Sequence, residues 1–210
     1  MSKAAEKESL LLEGPAGTIE ALLEIPPGCD ASRVVLICHP HPLYQGTMLN
    51  KVVHTLARAM HDMGLPTLRF NFRGVGRSTG EHAKGVGEVD DTLWLAEWLR
   101  ERFPGAKLWL AGFSFGGMVA ALAAARTDAE ELITIAPAVG MIDSAMEQEP
   151  AARWLLVQGD ADELIEVAQV QEWAGSLKHS PEVIILPGVT HFFHGELVTL
   201  RKLLVEKLSD

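Results

Sequence analysis

The sequence predicts a three-layer α/β/α sandwich, with a mostly parallel central sheet and no cap domain. Three observations carry that expectation. Short runs rich in Val, Ile and Leu alternate with amphipathic stretches along the 210 residues. Several of those runs are apolar at every position, as strands covered on both faces must be. The connections are short, and no inserted block large enough to form a lid interrupts the alternation.

Residues 9–12 and 17–25 read as two strands around Gly14-Pro15, an antiparallel opening pair. Pro26-Pro27-Gly28 turns the chain into a continuous apolar strand from Arg33 to Cys38. Val52, Leu56, Ala59, Met60 and Met63 form one stripe of a helix over 48–63, stopped by Gly64. A strand at 66–70 leads through a Gly-rich loop to a helix at 88–101, whose apolar face carries Val89, Leu93, Ala96 and Leu99. A strand at 107–111 runs into an Ala-rich helix at 115–127, and a strand at 131–136 follows. Beyond an irregular stretch come a strand at 153–158, a helix at 165–175, a strand at 182–186 and a helix at 195–208. The two irregular stretches, 71–87 and 137–152, belong over the strand ends, where open α/β sheets bind ligands. Met141, Ile142, Ala145 and Met146 either line an acyl or alcohol pocket there or form the buried side of a short helix.

The length suits a single domain over 1–210 with a large core. With 18 Lys plus Arg against 28 Asp plus Glu, the formal net charge is -10. No basic cluster stands ready to neutralise a phosphate backbone, so a nucleic-acid partner is not expected. Residues 1–8 are charged and lack the apolar core of a signal peptide, and no apolar run reaches membrane-spanning length. Cys29 falls in a turn and Cys38 at the end of a buried strand, which suits free thiols and a cytoplasmic setting. Membrane insertion is not expected, and an exposed edge strand leaves room for a homodimer.

The chemistry concentrates at Gly112-Phe113-Ser114-Phe115-Gly116. An apolar strand ends in G-x-S-x-G and passes directly into helix-forming residues, the context of a nucleophile elbow. A serine hydroxyl at neutral pH needs a base, and the base needs an orienting group. The strand at 153–158 ends in Gln158-Gly159-Asp160-Ala161-Asp162-Glu163, and the last strand in Leu186-Pro187-Gly188-Val189-Thr190-His191. An acid and then a histidine, each just beyond a strand, supply the missing partners in the order Ser…Asp…His. His191 is preferred as base over His194. Asp162 is preferred as orienter because it lies further into its loop than Asp160, which could instead stabilise the turn; Glu163 is a third choice.

Stabilising a tetrahedral oxyanion takes backbone donors. The Phe115 N–H, at the positive end of the following helix, is one. The second is expected from His39-Pro40-His41-Pro42-Leu43, where the prolines have no N–H to give. His41 is preferred and Leu43 is the alternative. The paired His39 and His41 also raise a metal site, but no third ligand follows at a characteristic spacing, so no metal is expected. The glycines at 74, 76 and 80 imitate a phosphate loop without the complete fingerprint or a ribose-binding acid, which favours a tight structural connection.

These segments together resemble a small, lidless bacterial group of α/β-hydrolases. The resemblance rests on His39-Pro40-His41-Pro42 with Gly46-Thr47-Met48, on Arg69-Phe70-Asn71-Phe72-Arg73-Gly74, on the Ser114 elbow and on Gly188-Val189-Thr190-His191-Phe192-Phe193-His194-Gly195. It implies an α/β-hydrolase fold, a Ser114–Asp162–His191 triad and no cofactor. Gln45 departs from the group, where a second glycine often precedes Gly46. The expected activity is hydrolysis of a small or medium carboxylic ester through an acyl-enzyme, with Phe115 and His41 N–H groups as oxyanion donors. A thioester substrate, acyl transfer, peptide hydrolysis and a non-catalytic binding role are the alternatives.

Overall fold

A computed structural model describes residues 5–29 and 31–209; of the charged start, residues 1–4 lie outside the described residues. Strands β1 (Glu6–Gly14), β2 (Gly17–Ile25), β3 (Arg33–Cys38), β4 (Thr67–Phe70), β5 (Lys107–Phe113), β6 (Glu131–Ile135), β7 (Arg153–Gly159) and β8 (Glu182–Leu186) build one sheet. Its eight strands run in the order β1-β2-β4-β3-β5-β6-β7-β8. β2 pairs antiparallel with β1 and β4, whereas the pairings from β4 through β8 are parallel.

The period-two geometry of a strand sorts its side chains into two cores. Val34, Leu36 and Cys38 of β3, with Leu108 and Leu110 of β5, pack on one face. Helices α2 (Val86–Arg102), α3 (Phe115–Ala124), α4 (Val139–Ala145) and α5 (Val167–Ser176) supply that core's other side. Val35, Ile37, Trp109, Ala111 and Phe113 point the opposite way, towards α1 (Lys51–Asp62) and α6 (Leu197–Leu208). Continuous apolar runs were therefore the signature of strands with no wet face. No described helix is long and apolar enough to cross a membrane.

Element ends differ from the periodicity where capping or pairing decides them. β1 extends to Glu6–Gly14 rather than 9–12, because the hairpin registers it against β2 along its whole length. α1 begins at Lys51 rather than 48, since Asn50 caps it by accepting the Val52 and Val53 N–H groups. α2 begins at Val86, two residues early, because Glu88 reaches back to accept the Ala83 and Gly85 N–H groups at 2.8 Å each. α3 ends at Ala124 rather than 127, while α5 and α6 begin at Val167 and Leu197, two residues later than expected. The stretch 137–152 contains α4, so the short helix raised as one reading of Met141 to Met146 is present.

Candidate active site

Ser114 sits at the carboxyl end of β5 as the residue before α3, with φ 56° and ψ -119°. That is a sparsely populated backbone for a residue with a Cβ, and the surroundings hold it there. A Cβ on Gly112 would strike the Gly116 carbonyl, and one on Gly116 would strike the Cys38 and His39 carbonyls. Only hydrogen fits at either position, so strand and helix close to a separation that lifts the serine out of the sheet. The Ser114 N–H donates to the Ile135 carbonyl at 2.9 Å, which ties the turn to β6.

His191 and Asp162 reach the serine from the far half of the sheet. β5 and β8 are three strands apart, roughly 14 Å at normal strand spacing. The loops after β7 and β8 close that distance by hydrogen-bonding to each other. The Ala161 N–H donates to the Val189 carbonyl at 3.1 Å, the Asp160 N–H to the Leu186 carbonyl at 3.1 Å, and the Gly188 N–H to Asp160 Oδ1 at 2.6 Å. His191, buried against the Phe113 ring, then lies with Nε2 3.0 Å from Ser114 Oγ. Its Nδ1 is 2.8 Å from Asp162 Oδ2. With Nδ1–H donating to the carboxylate, the Nε2 lone pair is left to accept from the serine hydroxyl.

The two aspartates separate cleanly. Asp162 Oδ1 accepts the Leu164 and Ile165 N–H groups at 2.8 Å each, and Oδ2 also accepts from Gln158 Nε2 at 2.8 Å. Burial alone would raise the carboxyl pKa, but the His191 bond and the two backbone donors outweigh it and hold it below the usual range. Asp160 is exposed and staples the turn, while Glu163 accepts the His191 backbone N–H at 3.2 Å. His194 is exposed and stacks on Phe192 at 5.9 Å.

On the other side of Ser114, His41 caps a single 3-10 turn over Pro42–Tyr44. Its Nδ1 accepts the Leu43 N–H at 3.2 Å, so that donor is already committed. Burial and then the neighbouring His82 lower the His41 pKa. Gln45 adopts the left-handed conformation at φ 60°, the backbone a glycine would take freely. Beneath the loop His39 is fully buried, with Nδ1 2.6 Å from the Pro40 carbonyl and Nε2 accepting the Phe72 N–H at 2.9 Å. Both ring nitrogens are thereby turned to backbone groups, and burial lowers the pKa to about 4. Cys38 is equally buried, its thiol pushed up to about 12 by desolvation.

The Gly-rich loop after β4 is a structural clamp. Asn71 accepts the Met48 N–H at 2.9 Å and donates to Glu20 at 2.7 Å, and Ser78 Oγ donates to the Asn71 carbonyl at 2.7 Å. Arg73 forms a two-pronged pair with buried Asp91 at 2.8 and 2.7 Å. Two residues of the site were not singled out from the sequence. Gln158 holds the Asp162 carboxylate, and the signal was a polar residue closing an apolar strand. His82 lies with its ring centroid 4.9 Å from His41 and 5.5 Å from Phe115, and its Nδ1 is 2.9 Å from Glu88 Oε1. No periodicity marks a residue in that loop. Met141, Ala145 and Met146 line a cavity between α2, α3 and α4, whereas Ile142 is fully buried in the core.

The profile of the alpha/beta hydrolase fold family matches residues 33–152, from β3 through the segment before β7. The chain belongs to the α/β-hydrolase fold family. Among solved members, an alpha-beta serine hydrolase homologue from Coxiella burnetii is 43% identical, with 96% of this chain and 97% of that one covered at a TM-score of 0.91. An a/b serine hydrolase without lid from Xanthomonas campestris is 41% identical, covering 96% and 93% of the two chains at a TM-score of 0.90. An uncharacterized protein of Rickettsia prowazekii is 35% identical over 195 residues, 88% of this chain and 81% of its own. This α/β-hydrolase is thus close in sequence and shape to bacterial members that include a lidless one.

Proposed function

We propose that this α/β-hydrolase is a serine esterase acting on small or medium carboxylic esters through an acyl-enzyme. The observation that carries the reading is the continuous chain from Ser114 Oγ through the His191 ring to Asp162, at 3.0 and 2.8 Å. Kinship with bacterial serine hydrolases supports esterase-type chemistry in general terms.

Ser114 Oγ attacks the ester carbonyl as His191 Nε2 takes its proton. Asp162 keeps the ring in the required tautomer and stabilises the imidazolium. The carbonyl oxygen becomes an oxyanion facing the N–H groups of Phe115 and His41. Phe115 opens α3 and so has no acceptor one turn back within the helix, while the Leu43 N–H is occupied by the His41 ring. One such donor contributes about 3–4 kcal/mol to the barrier reduction. His191 then gives its proton to the departing alcohol, and a water activated by the same nitrogen releases the acid.

The test is a fluorophosphonate probe with peptide mapping, alongside hydrolysis of p-nitrophenyl acetate and butyrate. Labelling at Ser114 in the wild type, absent from S114A, together with ester turnover, is the expected result. A folded wild type that is not labelled, or is labelled elsewhere, would sink the proposal.

A further inference from the structure

Asp162 and His191 are each followed by a large apolar side chain that the fold leaves in solvent. Leu164 is 60% exposed and Phe192 is 42% exposed. Neither hangs on a loose loop. The Leu164 N–H donates to Asp162 Oδ1 at 2.8 Å, so the triad's own carboxylate fixes that residue's backbone. Phe192 stands between His191 and Phe193, whose ring is fully buried and whose backbone is left-handed at φ 54°. The Phe193 N–H donates to the Thr190 carbonyl at 3.0 Å and closes the turn that presents Phe192. Glu163 accepts the His191 N–H at 3.2 Å, which draws the two loops together beside the base. An apolar side chain held in place yet left in water is a contact surface prepared in advance.

Phe192 is in ring contact with the group that must protonate the leaving alcohol. Its centroid is 5.1 Å from that of His191, with the two planes at right angles, and 6.4 Å from that of Phe113. The His191 nitrogens are directed elsewhere, Nδ1 to Asp162 and Nε2 to Ser114. In an ester attacked by Ser114, the alcohol oxygen has to come within about 3 Å of Nε2 to receive its proton. That oxygen then stands about 4 Å from the imidazole centre, and a group a few bonds long attached to it spans the distance to Phe192. A stacked or edge-to-face contact favours a flat aromatic group over an alkyl group of similar reach by about two- to tenfold. Charge on the two loops narrows the choice further. Residues 160–166 and 188–196 hold no Lys or Arg, and the carboxylates of Asp160, Glu163 and Glu166 are exposed there. A negatively charged alcohol group is therefore disfavoured.

We propose that Phe192, with Leu164 on the neighbouring loop, forms the subsite for the alcohol half of the substrate, and that the enzyme prefers esters of uncharged aromatic alcohols. The assignment rests on Ser114 being the nucleophile. Its test is the ratio of kcat/KM for benzyl acetate to that for ethyl acetate, measured by titrating the acid released. Both esters form the same acetyl-enzyme, so the ratio reads only the step in which the alcohol is still attached. It should be about tenfold or more in the wild type and fall about fivefold in Phe192→Ala. Phe192→Tyr, which keeps the ring, should restore it to within about twofold. Loss of mere support for His191 would slow both esters alike and leave the ratio where it was. A ratio near one in the wild type, or one unchanged in Phe192→Ala, overturns the subsite and leaves the serine reading standing. Should Phe192→Ala no longer label with the fluorophosphonate, Leu164→Asp at its exposed position decides by the same ratio, a fall supporting the subsite and no change overturning it. Loss of labelling and of turnover in the wild type overturns both.

Discussion

Acidification should loosen the protein through His39, and the structure sets the size of the effect. The imidazole is fully buried, and burial depresses its pKa from 6.5 to about 4, against the opposing pull of the Pro40 hydrogen bond and the Glu88 charge. The unfolded chain therefore binds a proton that the folded chain refuses. Stability from this residue is full above pH 6.5 and drains away as pH falls towards 4. A difference of about 2.5 pKa units corresponds to about 3 kcal/mol in all, with about 2 kcal/mol already gone at pH 5. H39Q isolates the contribution, since every other titrating group is common to both proteins. At pH 7.5 the variant should be less stable by about 1–3 kcal/mol, having lost one backbone partner and the ring contact with Phe72 at 4.4 Å. Urea unfolding followed by circular dichroism at pH 7.5, 6, 5 and 4.5 gives the gap between the two proteins. That gap should shrink steadily, by about 2 kcal/mol at pH 5. A gap constant to within about 0.5 kcal/mol would refute the argument, because His39 would then titrate alike in both states.

The two loop aspartates should respond very differently. D162N removes the acceptor that fixes the His191 tautomer and should lower kcat by about 10³–10⁴, whereas D160N should cost under about tenfold in activity and about 1 kcal/mol in stability from the Gly188 bond. Parallel ester hydrolysis and urea unfolding separate them, and equal loss of activity would reverse the assignment. Arg73→Met leaves buried Asp91 without its two-pronged partner and should destabilise the protein by about 3–5 kcal/mol, read from urea midpoints. Gly46→Ala drives a methyl into the Pro40 and His41 carbonyls. The displaced oxyanion loop should reduce kcat/KM about 100-fold while Ser114 still labels slowly; unchanged kinetics would remove His41 from the mechanism.

The layered fold was legible in the sequence because it depends on a two-way partition of side chains that periodicity records directly. Arg33 to Cys38 reads as a strand clothed on both faces, which it is, and Gly112 and Gly116 mark the close strand-to-helix turn at Ser114. What the sequence withheld was three-dimensional loop contact. Nothing in spacing says that Asp160 is spent on the Gly188 N–H, and that contact is what leaves Asp162 facing His191. His82 reaches His41 and Phe115 from a loop anchored by the Glu88 cap, a relation between distant segments with no local period. Asn50 marks the start of α1 by its capping chemistry, and Glu88 marks that of α2. The edge strand β1 was undercounted because Glu6, Lys7 and Glu8 carry no strand signature; their pairing is dictated by β2.

The placement of His191 on the last strand's loop has a consequence for how the molecule comes into being. Ser114 and His191 are 77 residues apart in the chain. At about 5–20 residues per second of synthesis, the serine precedes its histidine by about 4–15 s. During that interval the growing polypeptide carries the Ser114 hydroxyl without the His191 ring that lies beside it in the folded chain. The contacts from Ser114 to His191 and on to Asp162 can close only after the last strand has been made and the loops after β7 and β8 have bonded to each other.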